Sequence, residues 1–325
     1  MVAPSKKSVT LQEVDEGSAD QRIDNYLARL LKGVPRSHVY RILRSGQVRV
    51  NSRRVEATYR LQPGDRVRVP PVRTAAPARP AVAAPAWPRF VPQTLFEDEW
   101  LLAIDKPSGM AVHGGSGVSR GVIELLRLGG GAPFLELVHR LDKETSGVLL
   151  LARKRVALTR LHEQLREGRV DKRYLVLVRG RWRDARRRVT LPLHKFVTAS
   201  GERRVSVKPG GQESDTVFTL VERLGDFSLL EALLATGRTH QIRVQLAHLG
   251  YPVAGDDKYG DFERNRLLAA SGLKRMFLHA WRLGFEHPVT AARVDLTAPL
   301  PGDLRRFLHA QGATLALDPE AHSLV

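Results

Sequence analysis

The stretch from His139 to Gly147 places one carboxylate between two cations. Asp142 lies two residues after Arg140 and directly before Lys143, and an apolar run begins at Val148. Neighbouring positive charges favour the ionised form of a carboxyl group, which can then act as a nucleophile or as a base. Asp142 is therefore the first candidate for a reacting group.

A second polar cluster, Gly237 to Arg243, opens a helix that the pattern predicts over 239–248. Thr239 is expected as its N-cap, because a threonine hydroxyl can accept a backbone N–H. Arg243 lies one turn later, where its guanidinium could hold the Asp142 carboxylate by two parallel hydrogen bonds. On residue type alone, the simpler interpretation is an Asp–Arg bridge that only ties a loop to a helix.

Two further clusters, Lys106-Pro107-Ser108-Gly109 and Lys172-Arg173-Tyr174, interrupt the apolar pattern near predicted strand ends. Such positions let rigid elements bring side chains to one cleft. By its spacing alone, Tyr174 would be a strand tyrosine packed on a sheet. The sequence contains no cysteine, no P-loop motif and no histidine pair at metal-binding spacing. We therefore expect a reaction that needs neither a metal nor another cofactor.

The charge of the chain indicates the class of its partner. The chain has 325 residues, 42% of them hydrophobic, and 52 Lys and Arg against 34 Asp and Glu give a formal net charge of +18. A surplus of this size indicates a polyanionic partner. The apolar runs are too short to cross a bilayer, so nucleic acid is favoured over a membrane. The absence of cysteine and of an apolar signal segment predicts a cytoplasmic protein.

Composition divides the chain into a predicted N-terminal tail (1–19), a small basic domain (20–70), a linker (71–92), a catalytic domain (93–312) and a C-terminal tail (313–325). The linker holds six prolines and seven alanines, which is typical of a stiff, extended segment. The pattern of the larger domain indicates an α+β fold on a largely antiparallel sheet. Its predicted strands are Leu101–Ile104, Gly147–Leu151, Tyr174–Arg179, Val217–Val221 and Leu229–Leu234. Its predicted helices are Arg155–Arg166, Thr239–His248 and Asp303–Ala310.

The small domain concentrates positive charge. Its pattern predicts two helices followed by two alternating strands. Between Gln21 and Pro70, twelve Lys and Arg face three acids. Six arginines cluster around the second helix and the turn after it: Arg36, Arg41, Arg44, Arg49, Arg53 and Arg54. A solvated charged face is one interpretation, and a surface that contacts RNA phosphates is the one we favour.

These motifs resemble two known families. The small domain resembles the S4 RNA-binding domain in the stretch Arg22–Leu27 and in the run Ser37–Asn51. The nine residues His139–Gly147 resemble the signature of the RluA-type pseudouridine synthases, and so do Lys106–Gly109, Tyr174, Gly237–Arg243 and Gly255–Gly260. The resemblance implies an S4-like α/β domain, then a synthase domain whose mixed, largely antiparallel sheet is flanked by helices.

The resemblance also implies a reaction. Enzymes of this family convert uridine into pseudouridine: they break the N-glycosidic bond, rotate the uracil and rejoin it through carbon. Asp142 would act on the ribose, either by attack at C1′ or by removal of the C2′ proton, and Arg243 would pair with it and keep it ionised. Tyr174 would contact the flipped base, and Arg140 would fill the gap left in the RNA stack.

The same resemblance implies a substrate, which is 23S ribosomal RNA or an assembly intermediate of the large subunit. The enzyme is expected to act as a monomer. The alternatives are a synthase of this family that modifies other ribosomal or transfer RNA uridines, and a non-catalytic RNA-binding protein. Two residues depart from the family pattern: Gln245 stands where His is usual, and Asp105 stands where Asn is usual. Both are expected to lie behind the reacting groups.

Overall fold

The computed structural model describes residues 9–15, 18–31, 33–72, 90–114, 120–128, 134–199 and 201–314. The chain divides into two compact units, Met1–Pro88 and Arg89–Val325. Most of the predicted linker (73–89) and most of the predicted C-terminal tail (315–325) lie outside the described residues. No helix within the described ranges is long and apolar enough to cross a bilayer.

The first unit packs two helices on a three-stranded sheet. Its elements are β1 (Thr10–Glu13), α1 (Ile23–Leu30), α2 (Arg36–Arg44), β2 (Arg49–Val50) and β3 (Arg66–Val69). The strand order is β1-β3-β2, and both pairings are antiparallel. The predicted order of two helices and two strands is confirmed. β1 is an addition, because it lies in the segment predicted as a tail, so the folded unit begins before residue 20.

The second unit is built on one large sheet. Its strands are β4 (Gln93–Glu97), β5 (Leu101–Lys106), β6 (Glu136–Leu137), β7 (Ser146–Ala152), β8 (Asp171–Arg179), β9 (Arg186–Val197), β10 (Arg203–Val207), β11 (Gln212–Leu224), β12 (Phe227–Leu234), β13 (Leu278–Glu286) and β14 (Arg293–Thr297). Its helices are α3 (Val122–Leu128), α4 (Arg155–Arg166), α5 (Gln241–His248), α6 (Phe262–Ala270) and α7 (Gly302–Ala310).

The order of strands in the described part of this sheet is β10-β9-β11-β12-β8-β13-β7-β5-β4, with β14 beside β13 and β6 beside β7. The pairing of β7 with β13 is parallel, and the other pairings are antiparallel. The predicted α+β class and the largely antiparallel mixed sheet are confirmed. The five predicted strands and the three predicted helices are all present, and each of the five strands is longer than its apolar run indicated.

The central strand β7 is buried along its whole length. Val148 and Leu150 face a core cluster that includes Leu158 and Leu161 of α4. Leu149 faces the opposite cluster, which includes buried residues of α3. Burial on both faces explains the continuous apolar run, and each leucine buried this way contributes about 1.5–3 kcal/mol. The strand is therefore a rigid base for the loop that precedes it.

Candidate active site

Asp142 lies in the loop that joins β6 to β7, beside the start of the buried central strand. Its side chain is 18% exposed, so it is neither a surface charge nor a sealed core residue. The loop folds back on itself, because the Thr145 N–H donates to the Asp142 carbonyl at 3.2 Å. Thr145 and Ser146 are buried beside it.

The Lys106-Pro107-Ser108-Gly109 cluster holds this loop through hydrogen bonds to its backbone carbonyls. Lys106 is fully buried, and its Nζ donates to the carbonyls of Pro107 at 2.8 Å, Met110 at 2.8 Å and Lys143 at 3.1 Å. Ser108 Oγ donates to the Glu144 carbonyl at 2.7 Å. Burial lowers the pKa of Lys106 to about 7. Two side chains of one motif thus fix the two residues that follow Asp142.

Gly147 ends the signature at a point where only glycine fits. Its φ is +111°, and a Cβ there would lie 2.2 Å from the carbonyl oxygen of Ala280 on β13. The close approach belongs to the parallel pairing in which Gly147 faces Ala280. A larger residue would push the two strands apart. The sheet therefore determines where the Asp142 loop ends.

Arg243, on α5, contacts Asp142 as expected. Its Nη1 lies 3.2 Å from Asp142 Oδ2. The predicted two parallel hydrogen bonds between these side chains are absent, however, because the fork of Arg243 is directed at Asp256. Arg243 Nε lies 2.7 Å from Asp256 Oδ2, and Nη2 lies 2.7 Å from Asp256 Oδ1.

The prediction that Thr239 caps α5 is wrong. The N-cap is His240, which has a left-handed backbone (φ 52°, ψ 24°) and no capping hydrogen bond from its side chain. The turn before the helix therefore ends one residue later than the threonine pattern indicated. In this turn the His240 side chain faces Asp142, and its Nε2 lies 3.9 Å from Asp142 Oδ1.

Asp256 is the partner that sequence reasoning missed. It is fully buried, whereas Arg243 is 4% exposed. Burial raises the pKa of the Asp256 carboxyl, but the hydrogen bonds and charge of Arg243 outweigh that effect and the net shift is downward. Asp256 Oδ1 also accepts the backbone N–H groups of Lys258 and Tyr259 at 2.8 and 3.0 Å. The only sequence signal was its place in the stretch Gly255–Gly260, to which no role was given.

Tyr174 lies on β8 opposite Ala232 of β12 and Ala280 of β13. These small neighbours leave room beside its ring, and Tyr174 lines the same cavity as Asp142. Burial, followed by the negative charge of Asp142, raises the pKa of the phenol. Tyr174 is therefore a neutral phenol that can donate a hydrogen bond into the cavity.

The cavity beside Asp142 has a volume of about 80 Å³ and is lined by both charged and apolar side chains. Asp142, Tyr174, His240 and Arg243 line it together with Leu278. A wider cleft of about 750 Å³ adjoins it, and Arg203 and Lys258 line that cleft. Glu144, Glu202 and Asp257 line the cleft as well, so its walls carry both signs of charge.

Arg140 lies at the entrance, where it lines both the cavity and the cleft. Its side chain is exposed. It forms no ion pair with another residue in the described ranges, whereas Lys143 contacts Glu144 at 3.7 Å. Arg140 is thus a cation at the mouth of the site whose guanidinium is available to an incoming ligand.

The six arginines of the first unit, Arg36, Arg41, Arg44, Arg49, Arg53 and Arg54, are all exposed. None of them forms an ion pair with a residue that the structure describes. By contrast, Arg60 is paired with Asp20 at 2.9 Å. Arg54 has a structural contact as well, because its Nη2 donates to the Ser45 carbonyl at the end of α2 at 2.9 Å.

The two departures from the family pattern both lie away from the cavity lining. Gln245 is fully buried; its Oε1 accepts from Thr216 Oγ1 at 2.7 Å, and its Nε2 donates to Ser214 Oγ at 2.9 Å. Asp105 lies at the end of β5, where burial raises the pKa of its carboxyl to about 6. Gln245 links α5 to β11, and Asp105 directly precedes Lys106, which holds the Asp142 loop.

Among the described residues, no group of three His, Asp or Glu side chains is placed to hold a metal ion. The site instead combines a partly buried carboxylate, a guanidinium fixed by a second carboxylate, and a neutral phenol. A carboxylate held in this way can attack a carbon centre or remove a proton. The phenol can donate a hydrogen bond to a base beside it.

Comparison with known proteins identifies both units. Residues 100–248 match the family described as RNA pseudouridylate synthase, and residues 21–67 match the S4 domain. The chain is 50% identical over 307 residues to ribosomal large subunit pseudouridine synthase C of Pasteurella multocida (strain Pm70), covering 94% of each chain. It is 50% identical over 306 residues to the protein of that name from Escherichia coli (strain K12), covering 93% of this chain and 96% of that protein.

Solved structures agree with this assignment. The structure titled Human RNA Pseudouridylate Synthase Domain Containing 4 superimposes with a TM-score of 0.56 at 25% identity, covering 68% of this chain and 93% of that one. The structure titled Human RNA Pseudouridylate Synthase Domain Containing 1 gives a TM-score of 0.54 at 25% identity, covering 69% of this chain and 96% of that one.

Proposed function

Because the chain belongs to the RNA pseudouridylate synthase family, we propose that it converts uridines of 23S ribosomal RNA into pseudouridine. The observation that carries the proposal is the contact of 3.2 Å between Asp142 and Arg243 at a cavity that Tyr174 also lines. The substrate assignment is supported by the relatives, which are named for the large ribosomal subunit and match nearly the whole chain.

Asp142 is the proposed catalytic carboxylate. The reaction breaks the bond between the ribose C1′ and the uracil nitrogen, and it forms a bond from C1′ to a carbon of the same uracil. Asp142 acts on the ribose either by attack at C1′ or by removal of the C2′ proton. In both routes the carboxylate must be ionised at the start, and the guanidinium of Arg243 lies 3.2 Å from its Oδ2 as a counter-charge.

Tyr174 and Arg140 are proposed to handle the flipped nucleotide. The target uridine must leave its stack to reach Asp142, which costs about a few kcal/mol. Arg140 fills the vacated place, because its planar cation can stack on bases and donate hydrogen bonds at once. Tyr174 lies against the flipped uracil, and its phenol donates to the base while the ring rotates.

The first unit is proposed to position the RNA. Its six exposed arginines present positive charge without acidic partners among the described residues. Phosphate contacts of this kind bind RNA and set its register without reading its sequence. We place the enzyme in the bacterial cytoplasm, acting as a monomer on 23S ribosomal RNA or on an assembly intermediate of the large subunit.

The test replaces Asp142 in a bacterial strain from which the gene has been deleted. Pseudouridines are mapped in ribosomal and transfer RNA after complementation with wild-type protein, Asp142→Asn or the control Asp184→Asn, whose side chain is exposed. We expect wild type and the control to restore sites in 23S RNA, and Asp142→Asn to restore none. Modification restored by Asp142→Asn would refute the role of Asp142.

Two outcomes would contradict the substrate assignment. Restored sites confined to transfer RNA would identify a synthase of the same family with another substrate. An unchanged pseudouridine map after deletion and complementation, combined with RNA binding by the purified chain, would favour a non-catalytic RNA-binding protein.

A further inference from the structure

His240 occupies a backbone conformation that a histidine rarely adopts. Its φ of 52° lies in the left-handed region, which is unfavourable for side chains other than Gly, Asn and Asp, and which persists only where the surroundings hold it. The side chain is 16% exposed and lines both the cavity and the adjoining cleft. The strained turn therefore holds one imidazole against the reacting carboxylate.

One nitrogen of this imidazole is occupied. His240 Nδ1 lies 2.7 Å from Tyr259 Oη, and Tyr259 Oη accepts the backbone N–H of Val205 at 3.0 Å. The Val205 N–H fills one acceptor position of the phenol oxygen, which leaves the phenol proton available for donation to Nδ1. Burial, against the opposing charge of Asp142, lowers the pKa of His240. A neutral imidazole that accepts at Nδ1 carries its own proton on Nε2.

The other nitrogen faces Asp142. His240 Nε2 is 3.9 Å from Asp142 Oδ1, whereas Arg243 already donates to the other oxygen, Oδ2. This gap is too long for a direct hydrogen bond. It does fit one oxygen atom at about 2.8 Å from each side. That oxygen must accept from Nε2–H and donate to Oδ1, and a hydroxyl group can do both.

We propose that His240 and Asp142 together bind the ribose 2′-hydroxyl of the target uridine, so that His240 selects RNA over DNA. The inference rests on the function proposed above. Within a continuous RNA strand the 2′-hydroxyl is the only free hydroxyl of the sugar, and it both donates and accepts. This contact holds the ribose so that Asp142 Oδ1 lies beside C1′ and C2′. His240 forms only a hydrogen bond and no covalent bond.

Binding of product RNA tests this contact, because the product cannot react further. Two RNA fragments are made around a uridine that the wild-type enzyme converts, with pseudouridine or 2′-deoxypseudouridine at that position. Their inhibition constants are measured in competition with substrate. We expect wild type to bind the ribose form about tenfold to a hundredfold more tightly, the range of one hydrogen bond to a charged group.

Two substitutions separate the two nitrogens of the ring. His240→Asn keeps an acceptor near the position of Nδ1 and tolerates a left-handed backbone, but it places no donor at the position of Nε2. His240→Gln places an amide N–H near Nε2 and loses the Nδ1 position. We expect the preference for the ribose form to fall in His240→Asn, where only the bond to Asp142 remains, and to fall less in His240→Gln. Tyr259→Phe should weaken the preference, because the tautomer is then no longer fixed.

The control is His248→Gln, a change at the exposed end of the same helix, which should leave the preference unchanged. The proposal is overturned if wild type binds the two fragments equally, or if His240→Asn weakens both by the same factor as a purely structural change would. Failure of the proposed function is distinct: wild-type protein would then form no pseudouridine in 23S RNA, and no fragment could be chosen.

Discussion

Asp256 orients Arg243 through two hydrogen bonds, whereas Asp142 forms a single one with it. Two of its nitrogens lie 2.7 Å from the two Asp256 oxygens, and a single nitrogen lies 3.2 Å from Asp142. Asp256 is sealed from solvent, and its two hydrogen bonds use Nε and Nη2 of Arg243, whereas Asp142 contacts Nη1. The reacting carboxylate can therefore change its bonding while the guanidinium beside it stays in place, which is the preorganisation that catalysis requires.

Asp256→Asn should lower both stability and turnover. Removing the charge of Asp256 takes away the main buried partner of Arg243 and leaves it only the contacts with Asp142 and Asp257, at a cost of about 3 kcal/mol in the free energy of unfolding. A displaced guanidinium should reduce kcat by about tenfold to a hundredfold. Urea unfolding and single-turnover kinetics measure the two effects. The control is Asp295→Asn, whose side chain is 67% exposed in its ion pair and which should change the free energy of unfolding by less than about 0.5 kcal/mol. Unchanged kcat in Asp256→Asn would contradict the orienting role.

Tyr174→Phe should reduce kcat by about a hundredfold or more, because a donor to the rotating base is lost. Affinity for RNA should stay the same, since it depends on phosphate contacts. Burial and the charge of Asp142 raise the pKa of Tyr174, so the phenol stays protonated up to about pH 10. The pH profile of the wild-type rate should therefore show no change at alkaline pH that depends on Tyr174, and the profile of Tyr174→Phe should have the same shape. The control is Tyr251→Phe, because Tyr251 packs on the same core cluster as Tyr174 but does not line the cavity.

Arg41→Gln combined with Arg44→Gln should flatten the salt dependence of RNA binding. If each arginine contacts one phosphate, the slope of log affinity against log salt falls by about 0.7 to 0.9 per residue removed. Titrations over a range of salt concentrations measure the slope. Arg60→Gln is the matched control, because Arg60 is already paired with Asp20. A slope that stays the same in the double variant would show that α2 does not face the RNA.

Asp105→Asn should stabilise the protein near neutral pH. Burial raises the pKa of Asp105 to about 6, whereas the unfolded carboxyl titrates near about 3.9. The native state thus binds the extra proton between these values, and stability falls as pH rises through this window. The two pKa values correspond to a penalty of about 3 kcal/mol, which the partial exposure of Asp105 reduces to about 1–2 kcal/mol, and Asp105→Asn removes it above pH 6 but not below about pH 4. Urea unfolding at both pH values measures it, with Asp184→Asn as the exposed control. Equal effects at the two pH values would contradict the shift.

Local pattern was sufficient for the elements that are buried on one side or on both. The helix Arg155–Arg166 has the bounds that its apolar spacing predicts, because α4 buries one face against the core and leaves the other exposed. The strand after Asp142 was equally clear, since β7 is buried on both faces and its sequence is almost wholly apolar. The order of elements in the small basic unit followed from the same periodicities.

Exposed strands were not predictable in this way. Most of β9 is exposed and four of its twelve residues are Lys or Arg, and no strand was predicted there. Its side chains show no strand pattern, and β9 forms because its backbone pairs with β10 and β11. β1 was missed for a similar reason, because four residues with one buried side chain carry too little pattern. Pairing across the sheet, which is a long-range property, decides such strands.

For the site, the sequence determined the residue types and, through the signature around Asp142, the class of chemistry. It also indicated that Arg243 would meet Asp142. Only the tertiary structure decided that Asp256 orients Arg243 and that His240 faces the carboxylate. Both depend on how the loop before α5 and the loop after it come together, and no local rule of spacing or propensity encodes the distance between two loops.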